Sequence, residues 1–433
     1  MNSRMSRADD LRDAIGQFVD ERYLIQFPQH GNTKWTPHRL AVTALLWSWS
    51  SQDSLTQRFS DARRIAETLL NTELPQCWQG FIKKLRADHA SLKQSLMDSL
   101  RTHSQEISQQ YPMIKGRPLL AVDGTRLELP RTQDNEQCFG TTEQSGQARS
   151  RPTAWLTLMW DVGSRTPWDW RFGATDSSER HHFQEMLDEL PESSIITADA
   201  GFQGYDMWSQ LLAAGHDLII RVGGNVRLLH EYWEVIIEDD RVYLWPEHAR
   251  QKDRPPLELR LLRVETDDEP MYLMTSILCS HTLTCAKAAR IYRQRWGVEL
   301  FFREHKQTFE RERLRSHAAR NVAVELDWSL MALWVVKLLG IVGLQVHDHG
   351  PDELSVKGAL RAIRDEMESI RPAPEKNLFA RLAAIKDDGY LRRDKRSRNY
   401  PRKKKRDKPP GPPRVRVMSD EQRNQLRAIR LRR

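Results

Sequence analysis

Between Pro118 and Val222 the chain alternates short apolar runs with polar breaks in an order that few folds accept. Leu119-Leu-Ala-Val-Asp123 reads as a buried strand that ends on an acid. Trp155-Leu-Thr-Leu-Met-Trp160 and Trp168-Asp-Trp-Arg-Phe172 read as two more strands, joined by a Gly-Ser-Arg-Thr-Pro turn. Glu179 to Leu190 has helical spacing, with His181 and His182 near its start. Ile195-Ile-Thr-Ala-Asp199 is again a strand ending in an acid, a helix follows from about Tyr205, and Leu218-Ile-Ile-Arg-Val222 is a fifth strand. Three strands, a helix, a strand, a helix and a strand specify a mixed α/β sheet.

The flanking segments differ in texture. Residues 1–112 read as a helical N-terminal domain, with period-3.6 apolar positions over Pro37 to Ser50 and Leu55 to Leu70. Trp35, Trp47, Trp49 and Trp78 supply its large core side chains. Arg58, Arg63 and Arg64 on the second of these helices could meet a DNA groove, and a plain helical bundle is the alternative. The α/β core begins at 113–222 and resumes at 283–346. Residues 223–282 interrupt it with strand-like pieces at Val226–Leu229, Trp233–Ile237, Val242–Trp245, Leu257–Val264 and Met271–Leu278, a β-rich insertion. Leu326 to Val346 is about as long as a membrane span, but Asp327 and Lys337 would be expensive in lipid, so a buried core helix is expected. Helices over 347–388 are broken by Pro372 and Pro374, and 389–433 reads as a basic, extended and flexible tail.

That tail carries the charge. Residues 392–408 hold eleven Lys/Arg against Asp394 and Asp407, more than the whole net charge of +8. A polyanion partner follows, nucleic acid first, with a solubilising end as the alternative. The four cysteines are widely spread with no CxxC pair, which argues against a disulfide framework or structural zinc and fits a reducing cytoplasm. The N-terminus has no apolar stretch of the secretory kind.

The densest chemistry lies in Tyr292-Arg-Gln-Arg-Trp-Gly-Val-Glu-Leu-Phe-Phe-Arg-Glu-His-Lys306. On a continuous α-helix, Tyr292, Arg295, Glu299 and Lys306 would share one stripe roughly 60° wide. Ile291, Val298, Phe302 and Phe309 form an apolar stripe beside it that can anchor the helix. A carboxylate among phosphate-binding groups suits metal-assisted chemistry on a phosphodiester; a solvated charged face is the bland reading. Asp123 in Val-Asp-Gly-Thr and Asp199 in Ala-Asp-Ala-Gly-Phe each follow an apolar run, which puts both at the strand ends where α/β sheets bind ligands. Each alone could be a turn aspartate. Three carboxylates in one site need cations, and oxygen donors select Mg²⁺ or Mn²⁺. Two such ions would activate a nucleophile and stabilise the leaving oxygen. Lys306 and Arg295 are suited to backbone phosphates. His181 and Glu185, four apart on a helix, lack a third metal ligand.

On these residues the chain resembles the DDE transposases of bacterial insertion sequences, in the "insertion sequence four" family. Tyr-x₂-Arg-x₃-Glu-x₆-Lys, met at Tyr292, Arg295, Glu299 and Lys306, is that family's signature, and the blocks at Asp123 and Asp199 resemble its other acidic motifs. The resemblance covers about residues 115–345. It departs at Asp199-Ala-Gly, where the family often has Asp-Arg-Gly, so a phosphate contact is missing there. The resemblance implies a ribonuclease-H-like catalytic core with Asp123, Asp199 and Glu299 as the ligands of two Mg²⁺ ions (Mn²⁺ substituting), and Tyr292, Arg295 and Lys306 on DNA phosphates. It implies cut-and-paste transposition at terminal inverted repeats, with a hairpin intermediate as an option, by a homodimer acting on double-stranded DNA in the bacterial cytoplasm, at the nucleoid. Relatives stack an insertion-domain tryptophan on a flipped base; Trp233 and Trp245 are the candidates, and a packed strand aromatic is the alternative for each. Two rival readings are a transposase-derived DNA-binding protein without activity and another nuclease of the same core fold.

Overall fold

The computed structural model describes residues 7–19, 33–111, 114–141, 151–233, 240–266, 269–368, 378–385 and 411–432. It opens with helices α1 (Arg7–Gly16), α2 (Pro37–Trp49), α3 (Leu55–Leu70), α4 (Trp78–Ala87) and α5 (His89–Ser108). Local sequence sets their ends. Thr36 caps α2 by accepting from the Arg39 N–H, with Pro37 opening the helix where no intrahelical donor is needed. Ser54 and Gln57 form a reciprocal capping box on α3, which stops at Asn71 in the left-handed region. Phe59 stacks on Phe81 with ring centroids 4.8 Å apart, and Trp35, Trp47 and Trp78 close around the pair. Arg58, expected on a DNA-facing surface, is instead buried and donates through Nε to the Gln52 carbonyl at 2.6 Å. It lies on the apolar side of the helix and faces the core. Arg63 pairs with Glu67 along the helix.

The sheet follows: β1 (Leu119–Glu128), α6 (Gln133–Phe139), β2 (Thr153–Asp161), β3 (Thr166–Gly173), α7 (Glu179–Gln184), β4 (Ile195–Ala198), α8 (Tyr205–Ala213) and β5 (Asp217–Val222). β1, β2 and β3 form an antiparallel meander, while β4 and β5 run parallel to β1. The order β3-β2-β1-β4-β5 is the ribonuclease-H-like core expected from the sequence.

The insertion carries β6 (Arg227–His230), β7 (Asp240–Leu244), α9 (Glu247–Arg250), β8 (Leu257–Val264) and β9 (Met271–Thr275). Its strands do not form a separate layer. β9 pairs antiparallel with β5 and extends the core into one ten-stranded sheet, which covers an edge that would otherwise stay open. Of the expected strand Trp233–Ile237, residues 234–237 lie outside the described residues.

The chain then forms α10 (Cys285–Gln294), α11 (Trp296–Arg303), a π-helical turn Glu304–Thr308, α12 (Ala319–Gln345), α13 (Val356–Glu368) and α14 (Leu378–Ala383). α12 is the apolar helix anticipated from the sequence: long and apolar enough to cross a membrane, but with 94% of its most apolar window inside the protein. Its two charges are paired. Asp327 accepts from Trp170 Nε1 at 2.6 Å and meets His89 and Lys93, and Lys337 Nζ reaches Glu304 at 3.0 Å. One core joins α1–α5, α12 and the sheet face beneath α10–α12.

The C-terminal stretch departs from expectation. Residues 392–408 lie outside the described residues, but the chain does not stay extended after them. β10 (Arg414–Val417) pairs parallel with β6, and α15 (Asp420–Arg432) follows. The signal was weak in sequence because only Met418 and Leu426 are buried there, against Tyr243. The segment is held by strand addition to an open edge, which needs backbone groups rather than apolar side chains, together with Val415 and Ile429 packed against the core and Arg430 donating to Glu231.

Candidate active site

Register brings the two aspartates together. In the parallel ladder Leu119 faces Ile195, Ala121 faces Thr197, and Val122 faces Ala198 as the last pair. Asp123 and Asp199 are the next residues on their strands, on the face where Leu119, Ala121 and Ile195 join the core under α10–α12. Asp123 was expected at a strand end; β1 in fact continues to Glu128, paired with β2 and bridged at Glu128 to Arg313. It is the ladder to β4 that stops at Val122, and this opens the space beside the carboxylate. Asp199 sits one residue past β4 and accepts the Gly201 N–H at 2.7 Å.

The third acid comes from α11, which lies against β1 and β2. Ile291, Val298, Phe302 and Phe309 are all buried, as the apolar stripe requires. The helix is not continuous: α10 stops at Gln294, α11 starts at Trp296, and Lys306 itself lies within the π-helical turn Glu304–Thr308. Around Arg295 the hydrogen bonds tighten to three-residue spacing, Arg295 N–H to Tyr292 O and Val298 N–H to Arg295 O. Gly297 allows close contact with β2, since a Cβ there would lie 2.8 Å from Trp160 Nε1.

Asp123, Gly124, Thr125, Asp199, Glu299, Phe302, Arg303, Lys306, Gln307 and Glu312 line one concavity, so the three acids and Lys306 converge. Arg295 ties two of the acids together. Its Nη1 donates to Asp123 Oδ2 at 2.9 Å and its Nη2 to Glu299 Oε1 at 3.0 Å. Burial raises the Asp123 pKa, and Arg295 and the Gly124 N–H oppose the rise. Glu299 is raised likewise, by burial first, with Arg295 opposing and Asp123 adding repulsion. Burial pulls the Lys306 ammonium down, against Glu312 and Glu128.

Two expected phosphate contacts therefore face inward. Tyr292 is buried beneath the Arg295 guanidinium, 5.5 Å from its ring centroid, and Arg295 is engaged by carboxylates. Anchoring by the apolar stripe turns that part of the helix toward the sheet, so of the three expected phosphate contacts Lys306 alone lines the concavity, beside Arg303. Of the tryptophans, Trp233 is 53% exposed; Trp245 is 6% exposed and donates Nε1 to the Arg254 carbonyl at 2.8 Å, which leaves no ring face for a base. Trp296, next to Arg295 and passed over in sequence, is 55% exposed. His181 pairs with Glu185 at 3.3 Å.

Two neighbours carried no sequence signal. Glu179, the first residue of α7, stands over Gly124, and its pKa is raised to about 7 by burial and by the charges of Asp123 and Asp199. Arg180 donates Nε to the Gly201 carbonyl at 2.7 Å, on the turn that lacks the family's arginine. Only the approach of α7 to the β1 and β4 ends reveals either. Next to the site, Arg131, Arg151, Arg313 and Arg315 line a second concavity that shares Lys306, Gln307 and Glu312 with the first.

Oxygen-only donors of high charge density fit a hard divalent cation in kind. Among the described residues no three Asp, Glu, His or Cys stand at metal-holding spacing, and the Arg295 guanidinium between Asp123 and Glu299 accounts for the gap between those two.

The model of the family described as the transposase DDE domain matches residues 114–335, just over half of the chain. The chain belongs to this family. It is also similar to the transposase InsG for insertion sequence element IS4 of Escherichia coli strain K12, 23% identical over 256 residues. That match spans 57% of this chain and 57% of the relative, less than two thirds of its length. A solved structure, the piggyBac transposase synaptic complex with hairpin DNA, aligns over 87% of this chain and 83% of its own with 12% identity and a TM-score of 0.41. The DDE domain as matched starts before β1 and ends within α12, and so contains Asp123, Asp199 and Glu299.

Proposed function

We propose that this transposase cuts and rejoins DNA at the terminal inverted repeats of a bacterial insertion sequence, with Asp123, Asp199 and Glu299 as the ligands of two Mg²⁺ ions. The convergence of these carboxylates with Lys306 in one concavity carries the reading. Bound there, divalent cations supply activation of a water or 3′-hydroxyl and stabilisation of the leaving oxygen. The protein's own residues do the rest. Arg295 holds Asp123 and Glu299 in one orientation, so the carboxylates are preorganised before DNA arrives. Lys306 contacts the phosphate next to the scissile bond from the rim. Arg180 supplies the positive charge that the Asp199-Ala-Gly turn lacks. The arginines of the adjoining concavity track the flanking backbone, and exposed Trp233 offers a face to an unstacked base. Function as a homodimer on paired ends, in the cytoplasm at the nucleoid, completes the reading.

Purified protein incubated with Mn²⁺ and DNA carrying the flanking terminal repeats tests it. Strand breaks at the repeat ends that vanish in Asp123→Ala support the transposase. Binding without cleavage of any end would leave a DNA-binding protein, and cleavage without end preference would leave a general nuclease.

A further inference from the structure

We propose that Arg126 holds a backbone phosphate of the bound DNA on the α7 side of the sheet, so that the strand lies across the end of the β1–β4 ladder between Lys306 on one face and Arg126 on the other. This rests on the reading of Asp123, Asp199 and Glu299 as the cleavage centre.

β1 gives the placement. Leu119 and Ala121 turn to the face under α10–α12, whereas Leu120 and Val122 join the core behind the sheet with Phe183 of α7. Continued past the last β4 pair, the alternation puts Asp123 on the first face and Gly124, Arg126 and Glu128 on the second. Thr157, opposite Gly124 on β2, marks the same side by meeting His182 of α7 at 3.1 Å. Arg126 therefore stands three residues, about 10 Å, beyond Asp123 along the strand and on its other face. From Asp123 to Leu127 no described strand pairs with β1 on its β4 side, so the edge between these side chains is open.

The guanidinium is held in place with its donors free. It lies over the ring of half-buried Trp155, its cross-strand partner, 4.2 Å from the centroid. A stack of this kind fixes the plane of the group and takes none of its five N–H donors. No carboxylate or carbonyl of the described residues takes them either. The charge still reaches Glu179, where it opposes the rise that burial, Asp123 and Asp199 produce. By contrast Arg295 is committed to Asp123 and Glu299, and Arg151 and Arg313 both reach Glu128. An exposed guanidinium fixed beside a cleavage centre, with its fork open, matches two oxygens of a phosphate. A strand gripped from both faces of the sheet cannot slide off the acids to either side, and that restraint is what positioning for attack at one bond requires.

The experiment measures binding of the full chain to a double-stranded repeat end by fluorescence anisotropy across a salt series, with Ca²⁺ in place of Mn²⁺ to hold the complex before cleavage. Arg126→Gln is expected to lower the slope of log affinity against log salt by about 0.9, the share of one phosphate, and to weaken binding about five- to tenfold at 0.1 M salt. Arg126→Lys keeps the charge; it should keep the slope and lose part of the affinity, because the stacked fork is gone. Trp155→Leu releases the guanidinium and should weaken binding in the parent but not in Arg126→Gln. A methylphosphonate placed at one phosphate after another then locates the contact. Arg126→Gln should become indifferent to one position that matters to the parent, and Lys306→Gln to a different one. An unchanged salt slope in Arg126→Gln, or sensitivity to every position that the parent feels, overturns the proposal, as does one position shared with Lys306→Gln. If Arg126→Gln binds like the parent while Asp123→Ala abolishes Mn²⁺-dependent cleavage, the centre stands and Arg126 takes no part in it. If Asp123→Ala cleaves like the parent, the reading of the centre itself fails, whatever Arg126→Gln does to binding.

Discussion

Gly297→Ala places a methyl group where α11 crosses β2. The new Cβ would lie 2.8 Å from Trp160 Nε1 and 3.4 Å from its Cε2. An unstrained contact is about 3.5 Å, so the helix or the ring must give by roughly 0.7 Å. The ring has little room. Trp160 is buried, with the Phe301 ring 5.2 Å away and the Lys337 ammonium 5.2 Å from its centroid. Overpacking of this kind costs about 1–3 kcal/mol, whereas alanine for glycine inside a helix gains about 1 kcal/mol. The net expectation is a loss of about 0–2 kcal/mol in chemical denaturation. Function should suffer more than stability, because the helix moves Glu299, two residues on, away from Asp123. Displacement of a catalytic group by a fraction of an ångström lowers single-turnover strand cleavage by about tenfold or more. Trp160→Phe supplies the control: the smaller ring yields, and the double variant should recover about 1 kcal/mol relative to the sum of the single changes. Additive single changes, or a Gly297→Ala protein as stable and as active as the parent, would refute the argument.

His305 predicts a pH response. It is fully buried, bonded through Nε2 to Ser329 Oγ at 2.8 Å, and burial lowers its pKa from 6.5 to about 3. The folded state thus binds fewer protons than the unfolded chain between those values, so stability is present above pH 6.5 and is lost as pH falls below it. The group should account for about 2 kcal/mol of lost stability between pH 7 and pH 5; denaturation of the parent and His305→Gln at both pH values should differ in slope by that amount, and equal slopes would sink the idea. Asp327→Asn breaks a buried pair with His89 and Lys93 and should cost about 3–5 kcal/mol in thermal or chemical unfolding. Arg295→Ala leaves Asp123 and Glu299 without a counter-charge, and should lower metal-free stability by about 1–3 kcal/mol, with part of the loss restored by Mn²⁺. Trp233→Ala should leave the melting temperature unchanged but weaken binding to a repeat end carrying an unstacked base, whereas Trp245→Ala should cost about 3–5 kcal/mol.

Periodicity and motif spacing went far here because each signal had a local cause. The strands at 119–128, 153–161, 166–173, 195–198 and 217–222 are runs whose apolar character follows from burial on a sheet, and all five lie where the sequence puts them. The signature Tyr292–Lys306 placed Glu299 correctly beside an apolar stripe, since both depend on helical spacing over two turns. The same spacing leaves the orientation of Tyr292 and Arg295 open: it gives a face, but which way the face turns depends on what Ile291 and Val298 pack against. Met418 and Leu426 are too few to announce the strand and helix of 414–432, which rest on an open edge of β6 that no sequence window contains.

The sequence by itself determined the succession of core strands and helices along the chain, the two aspartates that follow apolar runs, the helix-borne glutamate and the buried nature of α12, because all of these are encoded within stretches of ten to thirty residues. Only the tertiary structure decided the occupants of the space between them. Arg295 bridges Asp123 and Glu299 across 172 residues of chain, Trp245 is sealed in the sheet while Trp233 is not, and Glu179 stands over Gly124 because α7 packs behind β1. Contacts of this kind join residues far apart in sequence through backbone geometry, and no local pattern specifies them.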